Sequence, residues 1–268
     1  MRLNKFFSGH TKSLKMNKGL LDKMTIKTKQ KKYPGIIQKL PKQLCDLLIK
    51  IAHDVPGILG NNLLGIYLHG SLTHSAFNEK NSDIDCIAAI YNKLTVNEQE
   101  HLRKCFKKMS KTNSWMGKLH MHFIPKKDIL IKGSKMHMYK EEVFTECTSD
   151  ANPIIWLDIL DNGIIMFGPD PGSFIPKISK RMLHNSLKLE LWYLKQELYD
   201  EKKHLFKKVA LSYQVYAILT SCRICYTFEN DSIVSKKLAG RWCAKFLDKQ
   251  WRNMINSCLL YTSPSPRD

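Results

Sequence analysis

The chain has 268 residues, 43% of them hydrophobic and 10% aromatic. That suffices for one large core or two small ones and excludes disorder throughout. No uninterrupted apolar stretch approaches the ~18–20 residues of a membrane-spanning helix, so a soluble protein is expected. Eight cysteines are too sparse for a disulfide scaffold, and the start lacks a secretory leader pattern. A reducing cytoplasm with free thiols is the expectation. The net charge of +19 would suit a polyanion partner, but residues 1–33 carry ten basic side chains against Asp22 alone. Nearly half the excess therefore sits on residues 1–35, a basic tail with little hydrophobic periodicity, expected to be solvated and disordered. Such a tail can touch RNA or a membrane surface. A basic balance alone does not favour a nucleic-acid partner, and none is expected at a membrane.

After Pro41, Leu44, Leu47, Leu48 and Ile51 recur at steps of three and four, which predicts a helix up to the breaks at Pro56-Gly57 and Gly60-Asn61-Asn62. Leu63–Leu68 reads as a buried strand ending at His69-Gly70-Ser71, and Ser82–Ile90 as a second. Residues 95–110 form a charged amphipathic helix. Leu119–Ile124 is a third strand, with Leu119, Met121 and Phe123 on one face and His120 and His122 on the other. This order predicts a mixed sheet flanked by helices over residues 36–150. From about 153 the pattern is helical: a leucine stripe (183, 187, 191, 194, 198) over 180–201, a helix at about 208–228, and one from Ser235 carrying Leu238, Trp242, Phe246 and Leu247. A helical domain over 151–258 follows. Cys222-Arg-Ile-Cys225 within it reads as two small core-facing residues. The final stretch, Leu259–Asp268, resembles a translated sequencing adapter, is read as a non-native tail and is not expected to continue the preceding helix.

The chemistry concentrates in Gly70-Ser71 and Asp83-Ile84-Asp85. A glycine and a serine closing a strand allow a tight turn whose amides and hydroxyl can approach phosphate oxygens. Asp83 and Asp85 lie two apart on the next strand, so both carboxylates project from one face and repel unless a cation sits between them. Mg²⁺ suits such a pair, because it takes few protein oxygens and leaves positions for substrate phosphates. Alone, each fragment reads as an ordinary turn or a solvated strand end. The two together, 12 residues apart, favour function.

Gly-Ser, a short loop and Asp-x-Asp resemble the nucleotidyltransferase superfamily with the DNA polymerase β-type palm. Tyr67-Leu-His-Gly-Ser71, Ser82-Asp-Ile-Asp85, Met166-Phe-Gly-Pro-Asp-Pro171, Cys222-Arg223 and Ser235-Lys236 resemble the aminoglycoside adenylyltransferases that modify streptomycin and spectinomycin, over about residues 36–258. The resemblance implies an α+β fold: a palm of mixed sheet and flanking helices, followed by an all-α bundle. It implies ATP as co-substrate, Mg²⁺ on Asp83 and Asp85, phosphate contacts from Gly70 and Ser71, and Arg223 and Lys236 at the triphosphate. Ser235 also reads as an N-cap, placing Lys236 in a first helical turn, where a cation opposes the helix dipole unless an anion binds there.

The pattern departs where the family's third acid, a general base, aligns with His120. Histidine can take a proton near neutral pH, and His120 with His122 could instead complement the aspartates as metal ligands. Altered or lost activity is the remaining alternative. The family's drug-contacting acid falls on Tyr213, and residues 203–223 contain no Asp or Glu, so a neutral or anionic hydroxyl compound fits better than a polycation. Trp156 and Trp192 are candidates for a cleft wall. The expected reaction is transfer of AMP from ATP to a small-molecule hydroxyl. The alternatives are an RNA or protein hydroxyl, or a nucleotide-binding protein without turnover.

Overall fold

The computed structural model describes residues 40–80, 82–149, 152–199 and 211–261. The basic tail, residues 200–210 and residues 262–268 lie outside these. Helix α1 (Lys42–Leu59) buries Leu44, Leu47, Leu48, Ile51, Ala52, Val55 and Leu59. It runs past the expected break, through Pro56, to Gly60. Proline costs a helix about 3 kcal/mol, yet Val55 and Leu59 on either side are buried, and continuing the apolar face outweighs the missing donor. Strands β1 (Leu63–His69) and β2 (Ile84–Ile90) pair antiparallel, with His69 opposite Asp85. Helix α2 (Val96–Ser110) starts at a reciprocal cap: Thr95 Oγ1 accepts from the Glu98 amide and Glu98 Oε2 from the Thr95 amide.

Strand β3 (Leu119–Pro125) runs parallel to β2, and its burial alternates as expected, with Leu119, Met121 and Phe123 inside. The hairpin β4 (Lys135–Lys140) and β5 (Val143–Thr148) extends this edge, then helix α3 (Pro153–Asn162) leads into β6 (Ile164–Phe167) beside β1. The sheet order is β5-β4-β3-β2-β1-β6. Because β6 completes the sheet, the boundary expected near 150 falls inside the sheet-building part of the chain. Four residues of β6 are too few for a periodicity signal. The stretch Met166–Pro171 mainly closes this corner: Gly168 adopts φ +94° against the Leu64 and Gly65 backbone, and the Tyr67 hydroxyl donates to the Pro169 carbonyl at 2.9 Å.

Helices α1 and α2 cover one sheet face around Ile66, Cys86, Met121 and Phe123. On the other, Trp156 and Ile159 of α3 pack on Tyr67, Ile87 and Ala89. Trp156 is thus core and lines no cleft.

The bundle comprises α4 (Lys180–Tyr199), α5 (Leu211–Asn230), α6 (Lys236–Phe246) and α7 (Lys249–Tyr261). Leu183, Leu187 and Leu194 of the stripe are buried, whereas Leu191 lines an open groove of about 470 Å³ with Phe228, Trp242 and Phe246. In α6 Leu238 and Phe246 are exposed, as is Leu247 just after it, Trp242 packs half-buried against the bundle core, and Ala239, Gly240 and Cys243 are buried. A Cβ at Gly240 would stand 3.1 Å from both Leu219 and Leu259, so small residues let the helices close here. Cys222 is buried as expected, but Cys225 is exposed. Leu259–Tyr261 do continue the last helix, and Leu259 packs on the bundle core around Cys222 and Ile255. Among the described residues no helix is long and apolar enough to cross a membrane.

Candidate active site

The C-terminal end of β1 passes directly into a 3₁₀ turn, Gly70–Leu72, because Gly70 takes φ +73°. A Cβ there would lie 2.6 Å from Asp85 Oδ2, so only glycine lets the turn lie against that carboxylate. Asp83 precedes β2 and Asp85 is its second residue, and the spacing of two brings both to one face. His120 completes the group from β3: its Nδ1 lies 3.8 Å from Asp83 Oδ2 and 4.0 Å from Asp85 Oδ1. Burial, then Asp83, push the Asp85 carboxyl up to about 6, against the opposing charges of Arg223 and Lys236. Those two cations come from α5 and α6, so the fold brings bundle residues to the carboxylate on the sheet.

Ser235 caps α6, its Oγ accepting from the Leu238 amide at 3.1 Å, and Lys236 therefore opens the first turn as expected. The Lys236 ammonium sits over the Tyr216 ring, 3.8 Å from its centroid. Burial and Arg223 push Lys236 down to about 7, with Asp85, Glu190 and Asp83 opposing. Excess positive charge on the bundle wall faces excess negative charge on the sheet wall. Ser71 Oγ is buried with no hydrogen-bond partner among the described residues, an unusual state for a hydroxyl and one a ligand oxygen would relieve.

Two hard carboxylate donors with such mutual repulsion fit a small divalent cation that completes its shell from substrate oxygens. Among the described residues no group of three or more His, Cys, Asp or Glu side chains is arranged to hold a metal ion. His122 lies further along β3, opposite Ile87. Tyr213 stacks on Tyr216, their rings 5.7 Å apart, and Trp192 is exposed against Tyr193.

The structure adds residues that the sequence reading passed over. Asp158 on α3 is buried. Its Oδ2 accepts from the Gly70 amide at 3.0 Å, and its Oδ1 from His74 Nε2 at 2.7 Å and Asn162 Nδ2 at 3.1 Å. Burial raises its pKa, but His74 and the Gly70 amide hold it net below the ordinary carboxylate value. His69 is buried, its Nε2 has no hydrogen-bond partner among the described residues, and its pKa is pushed down to about 4, chiefly by burial. The available signal for Asp158 was one acid inside Ile154-Ile-Trp-Leu-Asp-Ile-Leu160, since a buried acid needs partners.

Residues 174–264 match the family described as "Aminoglycoside adenylyltransferase, C-terminal domain". The structure is similar to spectinomycin adenyltransferase AAD(9) from Enterococcus faecialis, solved with ATP and spectinomycin. The TM-score is 0.64 at 19% identity, over 82% of this chain and 90% of that one. No curated protein sequence matches the chain. The chain is therefore similar to that family's C-terminal domain over residues 174–264, and over most of its length it shares a fold with the AAD(9) structure.

Proposed function

We propose that this protein transfers AMP from ATP to a hydroxyl of a small antibiotic-type acceptor, with Mg²⁺ on Asp83 and Asp85. The observation that carries this reading is the meeting of that carboxylate pair with Arg223 and Lys236, which come from the segment matching the adenylyltransferase domain. Bound there, Mg²⁺ would neutralise phosphate charge and polarise the α-phosphate. Ser71 Oγ donates to a phosphate oxygen. Arg223 and Lys236 hold the β- and γ-phosphates and the charge that develops as pyrophosphate leaves. The acceptor oxygen bonds to the α-phosphorus as the bond from that phosphorus to the bridging oxygen breaks. His120, beside Asp83, takes the hydroxyl proton. Gly70 acts by allowing close approach, because its amide is already given to Asp158.

Spectinomycin is the first acceptor to test, since the structural neighbour was solved with it. Glu190 of α4 is close enough to act on Lys236, which gives the site an acid that an amine-bearing guest could use. The test is pyrophosphate release from Mg·ATP with spectinomycin, streptomycin and neutral hydroxyl compounds, with Asp85→Asn as control. Release that needs an acceptor and vanishes in the variant supports the transferase. A second reading, nucleotide binding without turnover, is favoured by His120 standing where the family has a glutamate. It predicts Mg·ATP binding and no pyrophosphate with any acceptor.

A further inference from the structure

Two parts of the nucleotide site come from different layers of the fold: the Gly70-Ser71 turn ends a sheet strand, and Lys236 opens a bundle helix. A polar chain, buried at Asp158 and half-buried at Asn162, joins them. Asp158 Oδ2 holds the Gly70 amide, and Asp158 Oδ1 holds Asn162 Nδ2 one turn further along α3. Asn162 Nδ2 also donates to the Ile233 carbonyl at 3.3 Å, two residues before the cap Ser235 and three before Lys236. An amide nitrogen has two hydrogens, so Asn162 can serve both acceptors at once. His74 closes the network from beyond the turn, its Nε2 donating to Asp158 Oδ1. The side chains of His74 and Asp158 are only 8% and 7% exposed, so little water competes for these bonds.

We propose that Asp158 and Asn162 are positioning residues that brace the phosphate turn on the sheet against the lysine-bearing end of α6, so that both halves of the nucleotide site are set in one geometry. This rests on the nucleotide-binding reading above. Neither residue touches the nucleotide; each acts through a backbone group, Asp158 through the Gly70 amide and Asn162 through the Ile233 carbonyl. The two ends differ in consequence. Loss of the Asn162 link frees only the α6 end and acts through Lys236. Loss of Asp158 frees the turn as well and leaves the Gly70 amide and His74 without their acceptor. Asparagine at 158 keeps an acceptor oxygen and restores part of the effect.

The test uses the full chain and Mg·ATP as probe, with binding measured by calorimetry and folding by thermal unfolding. Asn162→Leu removes the Ile233 bond at similar volume. It should weaken Mg·ATP about three- to tenfold, the equivalent of one hydrogen bond, while the protein stays folded at the assay temperature. Asp158→Ala should weaken it further, and Asp158→Asn less than Asp158→Ala. The deciding measurement is the double-mutant cycle with Lys236→Ala. If Asn162 acts through Lys236, Asn162→Leu costs nothing more once the lysine is gone. Full additivity in the cycle, or wild-type binding by a folded Asn162→Leu protein, overturns the brace. Failure of the wild type to bind Mg·ATP, or wild-type binding by Lys236→Ala, overturns the nucleotide-site reading instead.

Discussion

Replacing Gly70 with alanine tests the central contact of the site. At φ +73° a Cβ is strained, and here it would also stand 2.6 Å from Asp85 Oδ2, about 0.8 Å short of ordinary van der Waals contact. The backbone term is about 1–2 kcal/mol for a non-glycine residue in this region. The steric term has two outlets. The turn can lift, which stretches the bond from the Gly70 amide to Asp158, or the Asp85 carboxylate can retreat by most of an ångström. Either one moves a group proposed to hold metal or phosphate, and a displacement of about 1 Å in a catalytic constellation can cost about a hundredfold in rate. Gly70→Ala should therefore destabilise by about 1–3 kcal/mol in urea unfolding and lower pyrophosphate release about a hundredfold in protein that remains folded. Near wild-type turnover would refute the proposed closeness of the turn to the acting carboxylate. So would a rate that falls only with the folded fraction.

Lys236→Ala should raise the KM for ATP about tenfold or more, the scale for losing a charge-assisted bond, with acceptor KM little changed in initial-rate kinetics. Thr95→Ala removes a reciprocal cap at the far end of β2 and should cost about 1 kcal/mol of stability in urea titration, with turnover per folded molecule unchanged. For Asp158, the folded pKa lies below the unfolded value of about 3.8. The ionised Asp158 therefore adds stability that is complete above that pH and is lost as the pH falls through the folded value. The gap between wild type and Asp158→Asn in denaturant midpoints should accordingly be widest at neutral pH and shrink below about pH 4. Chelation of divalent ions should abolish pyrophosphate release, and readdition of Mg²⁺ should restore it.

The sheet's interior was legible where period-two alternation or a bounded apolar run was long enough to count. Leu119, Met121 and Phe123 against His120 and His122 is the clearest case, and the observed burial follows it. The carboxylate pair was legible for the same reason, since spacing alone puts two side chains on one face of a strand. Short β6 and the exposed hairpin β4–β5 were not, because four residues carry too little pattern and half-exposed strands mix polar and apolar positions. The packing of α6 shows a different limit. Its large apolar residues have helical spacing, but the face that packs is chosen by how closely backbones can approach, and Gly240 decides that.

The brace through Asp158 marks the deepest limit. Sequence patterns report on what one element presents to a neighbour, while this network depends on three separate segments meeting. Residues 70–74, 158–162 and 233 share no period and no motif. Only the general rule that a buried carboxylate requires partners could have pointed to it, and that rule names neither the partners nor their purpose. The pairing of Asp83 and Asp85 could be read from sequence because it needs only a spacing of two on a strand. The residues that hold their surroundings in place become visible only once the fold has brought distant segments of the chain together.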